Sequence, residues 1–271
     1  MNYKQKLQNI ILKNRSNLII GLDSDLEKIP SFFLKYNNPV GEFNKAIIDS
    51  TKDIVAGFKF NIAFYEFLLS DGISAMEESL SAIPKEMIKI CDAKRGDIEN
   101  TAELYAKTYF DKYDFHSITI SPYLGKDSFE PFLKRTNKAV YILALTSNPG
   151  GKDFQFLKVG EKYLYEIIIE KSLSWNKNDN IGFVFGANHI SELNIFTTRH
   201  PDVPLLIPGI GAQSNDLENL MKNIHTKNFL INSSRSIIYS APKDCSEKEF
   251  MERVRESAVL LNNDINSFRI F

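Results

Sequence analysis

Eight times along the chain, a short run of β-branched and aromatic residues gives way to a longer stretch with helical spacing. That alternation limits the fold more than any other feature. The strand candidates are NLIIGLD (17–23), VAGFKF (55–60), MIKICD (87–92), SITIS (117–121), AVYILAL (139–145), IGFVFGA (181–187), PLLIPGI (204–210) and NFLINSS (228–234). They are short, largely apolar and not strictly alternating, as strands buried on both faces of a parallel sheet are. Helices fit 42–53, 64–82, 98–112, 126–135, 158–175, 189–197, 214–224 and 246–262. Within 98–112 the helical spacing falls on Leu104, Tyr105 and Thr108; within 158–175 it aligns Leu164, Ile167, Ile168 and Trp175, with Lys171 interrupting. Residues 24–44, with Pro30 and Pro39, read as a long connection with room for a short helix, and WNKNDN (175–180) as a polar loop.

At 271 residues, eight such units are most economically one (β/α)8 TIM barrel, a single α/β domain over 1–271. A doubly wound open sheet is the alternative, but no G-x-G-x-x-G follows the first strand. A formal charge of −1 gives no sequence-wide reason to expect nucleic acid or an acidic membrane as partner. No apolar run approaches the roughly 18 residues needed to cross a bilayer. The N-terminus lacks acidic residues until Asp23, a feature of organellar presequences, yet it has no secretory core and NLIIGLD already reads as the first strand. Cys91 and Cys245, the two cysteines, form no C-x-x-C pair, so neither a zinc site nor a disulfide framework is expected. The expected compartment is the cytoplasm.

In such a barrel chemistry sits at the C-terminal ends of the strands. The candidate strands end in Asp23, Lys59 with Asn61, Asp92 with Lys94, Ser121, Thr146 with Ser147 and Asn148, Asn188, Gln213 after PGIGA, and Arg235 after NSS. Strands must end in polar loops anyway, but that does not explain Lys59 flanked by Phe58 and Phe60. A lysine buried there must reach a carboxylate or a ligand. In DAKRGD (92–97), residues two apart on a strand share a face, so Asp92 and Lys94 can both point to the barrel mouth. Asp97 then opens a helix whose first turn holds Asn100 and Thr101. The plain alternative is a solvated loop with acidic residues favoured by the helix dipole. The RGD triplet is too short to argue for adhesion. PGIGAQ (208–213) and NSSR (232–235) follow strands seven and eight, where these barrels frequently hold phosphate, and Arg235 would add a bidentate cation.

FKFN, DAKRGDIENTA, TSNPG, PGIGAQ and NSSR, in this order and spacing, resemble the orotidine 5′-phosphate decarboxylase family, in its branch with the DAKRGDI motif. The resemblance implies a homodimeric barrel, without metal or organic cofactor, that converts orotidine 5′-monophosphate to UMP and CO2, the last step of de novo pyrimidine synthesis. It implies a charged catalytic network of Lys59, Asp92, Lys94 and Asp97, with Asp97 and Thr101 reaching the partner subunit's site. Asp23 and Lys59 would hold ribose hydroxyls, Ser147 the pyrimidine edge, with Thr146 adjacent, and Gln213 and Arg235 the phosphate, beside Pro208. Asn61 would support the network. The alternatives are a sugar-phosphate decarboxylase of the same superfamily, using the D-x-K-x-x-D carboxylates with Mg2+, and a catalytically silent barrel acting as a binding protein.

Overall fold

Apolar residues on both faces dictate the strands, and eight of them pair in parallel. The computed structural model describes residues 1–209 and 214–269. The barrel strands are β1 (Leu18–Gly21), β2 (Gly57–Asn61), β3 (Ile88–Arg95), β4 (Ser117–Ile120), β5 (Ala139–Leu145), β8 (Ile181–Phe185), β9 (Leu205–Pro208) and β10 (Phe229–Ser233). The hairpin strands β6 (Lys158–Val159) and β7 (Lys162–Tyr163) stand apart from them. Each barrel strand neighbours the next in sequence and β10 returns to β1, closing the (β/α)8 barrel. The helices are α1 (Tyr3–Asn14), α2 (Pro39–Thr51), α3 (Ile62–Glu66), α4 (Leu69–Ala82), α5 (Glu99–Ala106), α6 (Glu130–Leu133), α7 (Leu164–Trp175), α8 (Ile190–Arg199), α9 (Ser214–Lys222), α10 (Arg235–Ile238) and α11 (Glu247–Ser267). Among the described residues no helix is long and apolar enough to cross a membrane.

By internal contacts the chain divides into two units, residues 1–8 with 93–231, and residues 9–92 with 232–271. In the second unit α2 and α11 bury Phe43 and Phe250, whose rings meet Phe33 at centroid distances of 5.5 and 5.2 Å. Such edge-to-face ring pairs add to the apolar area that the helices bury. In the first unit Phe183 and Phe185 of β8 pack on Phe196 of α8. There too Tyr3 of α1 donates to or accepts from the Tyr141 hydroxyl of β5 at 2.9 Å.

Several expectations need correction. Helix α1 is not among the helices expected from the sequence, although Tyr3, Leu7, Ile10 and Ile11 recur at helical spacing and are all buried. The expected helix 158–175 begins only at Leu164, because Gly160, at φ +65°, turns 158–163 into a hairpin. Its buried face is Tyr165, Ile169 and Ser172 rather than the stripe of Leu164, Ile167, Ile168 and Trp175. The helix expected over 64–82 breaks between α3 and α4, where Leu69 takes φ +53°. The segment 98–112 starts as α5 and widens into a π-helical turn over Lys107–Lys112. It buries Ala102 and Ala106 and leaves Leu104 outside. Small residues permit close approach, so the packed face is not the one bearing the larger apolar group.

Gly57 sets how close β2 lies to β3, since a Cβ there would meet the Ile88 carbonyl oxygen at 2.0 Å. Gly57→Ala must separate the two strands, at a cost of about 1–3 kcal/mol or more. The expected result is a lower denaturant midpoint with an unchanged slope, measured by equilibrium unfolding.

Candidate active site

The charged residues lie within or just beyond the C-terminal halves of their strands. Lys59, the third residue of β2, pairs in register with Gly21 of β1, and Asn61 pairs with Asp92 of β3. Parallel register thus brings Asp23, Lys59 and Asp92 together from three adjacent strands. The Lys59 Nζ donates to Asp92 Oδ2 at 3.0 Å and to Asp23 Oδ1 at 3.5 Å. Its side chain is 3% exposed, against 13% for Asp92 and 20% for Asp23. Burial pushes the ammonium toward neutrality, but the fields of Asp23 and Asp92 outweigh it and hold the Lys59 pKa above the ordinary lysine value. The expectation that a lysine between two phenylalanines must reach a carboxylate is met by two.

The strand end bearing Asp23 is fixed by two phenols, Tyr65 buried and Tyr239 half-buried. Tyr65 donates from its hydroxyl to the Leu22 carbonyl at 2.8 Å and accepts from Asn44 Nδ2 at 3.1 Å, while Asn44 Oδ1 accepts from Ser24 Oγ at 2.6 Å. The Tyr239 hydroxyl donates to the Asp23 carbonyl at 3.1 Å and accepts the Asp25 N–H at 2.7 Å. Burial pushes the Tyr239 phenol up to about 12, so it keeps the proton it donates. These contacts fix the backbone, and the backbone fixes the carboxylate. A cavity of about 510 Å³, lined by Ser24 to Glu27 with Ala63, Phe64, Phe67 and Leu68, adjoins this strand end in sequence.

Strand β3 runs three residues further than expected, through Lys94 to Arg95. Along it Asp92 is half-buried, Ala93 buried and Lys94 exposed. The extended backbone does not continue, however, because Lys94 adopts φ +48°. A left-handed lysine costs about 1–3 kcal/mol and persists only where its surroundings impose it. Asp97 is half-buried and accepts the Ile98 N–H on Oδ1 at 2.9 Å. Thr101 lies exposed in the first turn of α5.

Asn61 Oδ1 accepts the Ala63 N–H at 3.4 Å and caps α3, a local role that the sequence does not reveal. After β5, the Thr146 hydroxyl is engaged on both sides, donating to Asn148 Oδ1 at 2.6 Å and accepting from Gln155 Nε2 at 2.8 Å. Ser147 is exposed and its hydroxyl is uncommitted among the described residues. Pro208 ends β9, and Gly209 beyond it takes φ +93°. Gln213 lies outside the described residues. Arg235 is exposed at the start of α10, directly after the Ser234 cap. Sequence reasoning misses Tyr65, Tyr239 and Gln155, whose contributions depend on contacts far along the chain and leave no local pattern.

A family model described as "Orotidine 5'-phosphate decarboxylase / HUMPS family" matches residues 16–248. An orotidine 5′-phosphate decarboxylase of Christiangramia forsetii is 45% identical over 268 residues, covering 97% of each chain. The structure of Leishmania donovani OMP decarboxylase superposes with a TM-score of 0.84 at 34% identity, over 99% of this chain and 98% of that one. The structure of Leishmania donovani UMP synthase gives 0.86 at 35% identity, over 99% of this chain and 56% of that one. Sequence and backbone agree along nearly the whole length: the chain belongs to the orotidine 5′-phosphate decarboxylase / HUMPS family.

Proposed function

We propose that this chain, as one barrel domain, decarboxylates orotidine 5′-monophosphate to UMP, the last step of de novo pyrimidine synthesis, with Lys59, Asp92, Lys94 and Asp97 as its charged machinery. The observation that carries this reading is the buried Lys59 ammonium, held by Asp92 and Asp23 at the ends of β1, β2 and β3 in a chain of this family. Breaking the bond between C6 and the carboxylate releases CO2 and leaves an electron pair on C6, with no conjugated sink. The protein then stabilises that pair electrostatically, which a fixed cation does best in a site without water. Lys94 supplies the cation and donates the proton that completes UMP. Asp92 beside the substrate carboxylate raises the ground state, a smaller contribution than preorganised charge.

The rate gains of enzymes reach about 8–23 kcal/mol, more than one ion pair supplies. Binding energy from the remote phosphate, taken by Arg235 with Gln213 beside Pro208, is the second source. Asp23 and Lys59 hold ribose hydroxyls, with Asn61 ordering the loop after them. Ser147 reads the pyrimidine edge, a choice favoured over Thr146 because the Thr146 hydroxyl is already engaged. The reaction needs no metal or organic cofactor in this reading: Asp92, one of the two D-x-K-x-x-D carboxylates that a divalent cation would use, is already paired with the Lys59 ammonium.

Lys94 is exposed in the isolated chain, where a catalytic ammonium needs a dry surrounding. A second copy of the chain supplies that cover, with Asp97 and Thr101 crossing to the partner's site. Ile98 and Leu104, 50% and 63% exposed beside them, are the apolar surface such a homodimer would bury. The two unbridged, buried cysteines suit a reducing cytoplasm.

Mixing the protein with orotidine monophosphate should convert the substrate's ultraviolet spectrum to that of UMP equally with and without EDTA, while Lys94→Ala stays folded and inactive. Loss of turnover with chelator would favour the metal-dependent alternative, and an active Lys94→Ala would end the carbanion account. Arg235→Ala should weaken UMP binding by about tenfold to a hundredfold in calorimetry, since it removes a charge-assisted contact of roughly 1.5–3 kcal/mol. Lys94→Ala and Asp97→Ala, each inactive alone, should regain activity when mixed and allowed to exchange subunits. No recovery despite demonstrated exchange would count against a shared site.

A further inference from the structure

The Ala93–Lys94 peptide group is gripped at both of its ends. Its N–H, belonging to Lys94, donates to Thr119 Oγ1 at 2.9 Å, and its carbonyl, belonging to Ala93, accepts from Arg95 Nη1 at 3.2 Å. The backbone just beyond is held as well, the Ser121 N–H donating to the Arg95 carbonyl at 2.8 Å. Thr119 lies on β4 and is 1% exposed, so it is a fixed support. The Arg95 guanidinium has its own anchor: Nη2 donates to the Tyr109 hydroxyl at 3.0 Å, and its Cζ lies 5.3 and 5.8 Å from the ring centroids of Tyr105 and Tyr109. Those two rings stack with an interplanar angle of 13°. Between these supports Lys94 takes φ +48°, a conformation a lysine does not hold unaided.

We propose that Thr119 and Arg95 are positioning residues for the reaction, clamping the Ala93–Lys94 peptide so that the Lys94 side chain leaves the strand in the left-handed direction its chemistry needs. The inference rests on the role given to Lys94 under Proposed function. Arg95 could not be replaced by a simple cation here, because it must reach a carbonyl and a phenol at once while lying over aromatic rings, which a planar fork does and an ammonium does not. Thr119 contributes an acceptor aimed along the barrel wall; valine at that position keeps the shape and removes the oxygen. The clamp acts on the direction of a side chain rather than on substrate affinity, so its loss is read in kcat rather than in KM.

The experiment measures kcat, KM and thermal midpoint for Thr119→Val, Thr119→Ser, Arg95→Met and Lys94→Ala with orotidine monophosphate. Thr119→Val and Arg95→Met should lower kcat by about tenfold to a hundredfold, the scale of a misplacement near 1 Å, with KM within about twofold. Thr119→Ser, which restores the acceptor, should recover most of the rate. If Lys94→Ala is inactive while Thr119→Val and Arg95→Met turn over at the wild-type rate, the clamp is dispensable and this proposal alone fails. It fails equally if the folded variants lose affinity instead of kcat, or if only their melting temperature falls. An active Lys94→Ala removes both the role of Lys94 and the clamp built upon it. Should Thr119→Val not fold, Arg95→Met decides the matter, since its side chain is only half-buried.

Discussion

A single ammonium buried between two carboxylates organises one end of this barrel. Lys59 is surrounded by phenylalanines in sequence and by strands in space, and without Asp23 and Asp92 its charge would be prohibitively costly there. Removing one partner of such a buried group typically costs about 3–5 kcal/mol, because the remaining charge is left uncompensated. The pairing demands three adjacent strands in one parallel register, which the Gly21–Lys59 and Asn61–Asp92 pairings provide. The phenols of Tyr65 and Tyr239 then hold the end of β1, while close approach at Gly57 sets the opposite end of β2 against β3.

Rigid support of this kind is what electrostatic catalysis requires. A charge stabilises a developing carbanion without reorganisation only if it is already in place, so the scaffold must absorb the strain of placing it. At the end of β3 the backbone of Lys94 is left-handed, and at the end of β1 dense hydrogen bonding holds Leu22, Asp23 and Asp25. The exposed side of α5 does the reverse. There Leu104 is left outside and Ala102 and Ala106 are packed, an arrangement that leaves apolar surface to solvent unless another molecule covers it.

Legibility in the sequence follows the range of the forces involved. Every barrel strand is visible because burial on both faces is written into consecutive residues, as in IGFVFGA and AVYILAL. Lys59 is visible because a charge inside an apolar run is a local contradiction. Helix α1 has the right spacing at Tyr3, Leu7, Ile10 and Ile11, but the absence of acidic residues around it draws attention to a leader instead of to the period. The phases of α5 and α7 are not legible, because the packed face goes to small residues in α5 and to Tyr165, Ile169 and Ser172 in α7. Asn61 can be placed at a strand end, yet its cap on α3 depends on where the helix begins.

The sequence by itself determined the succession of the barrel strands and the residue types gathered toward their C-terminal ends. These follow from periodicity, apolar burial and the cost of an isolated charge, all of which act within a few neighbours. Only the tertiary structure decided that Lys59 would be shared by Asp23 and Asp92, that Lys94 would turn left-handed, and that Thr119, Arg95 and Tyr239 would hold the backbone beside them. The physical reason is that hydrogen bonds and ion pairs between distant segments depend on strand register and on direction, and neither quantity is encoded in any one stretch of chain.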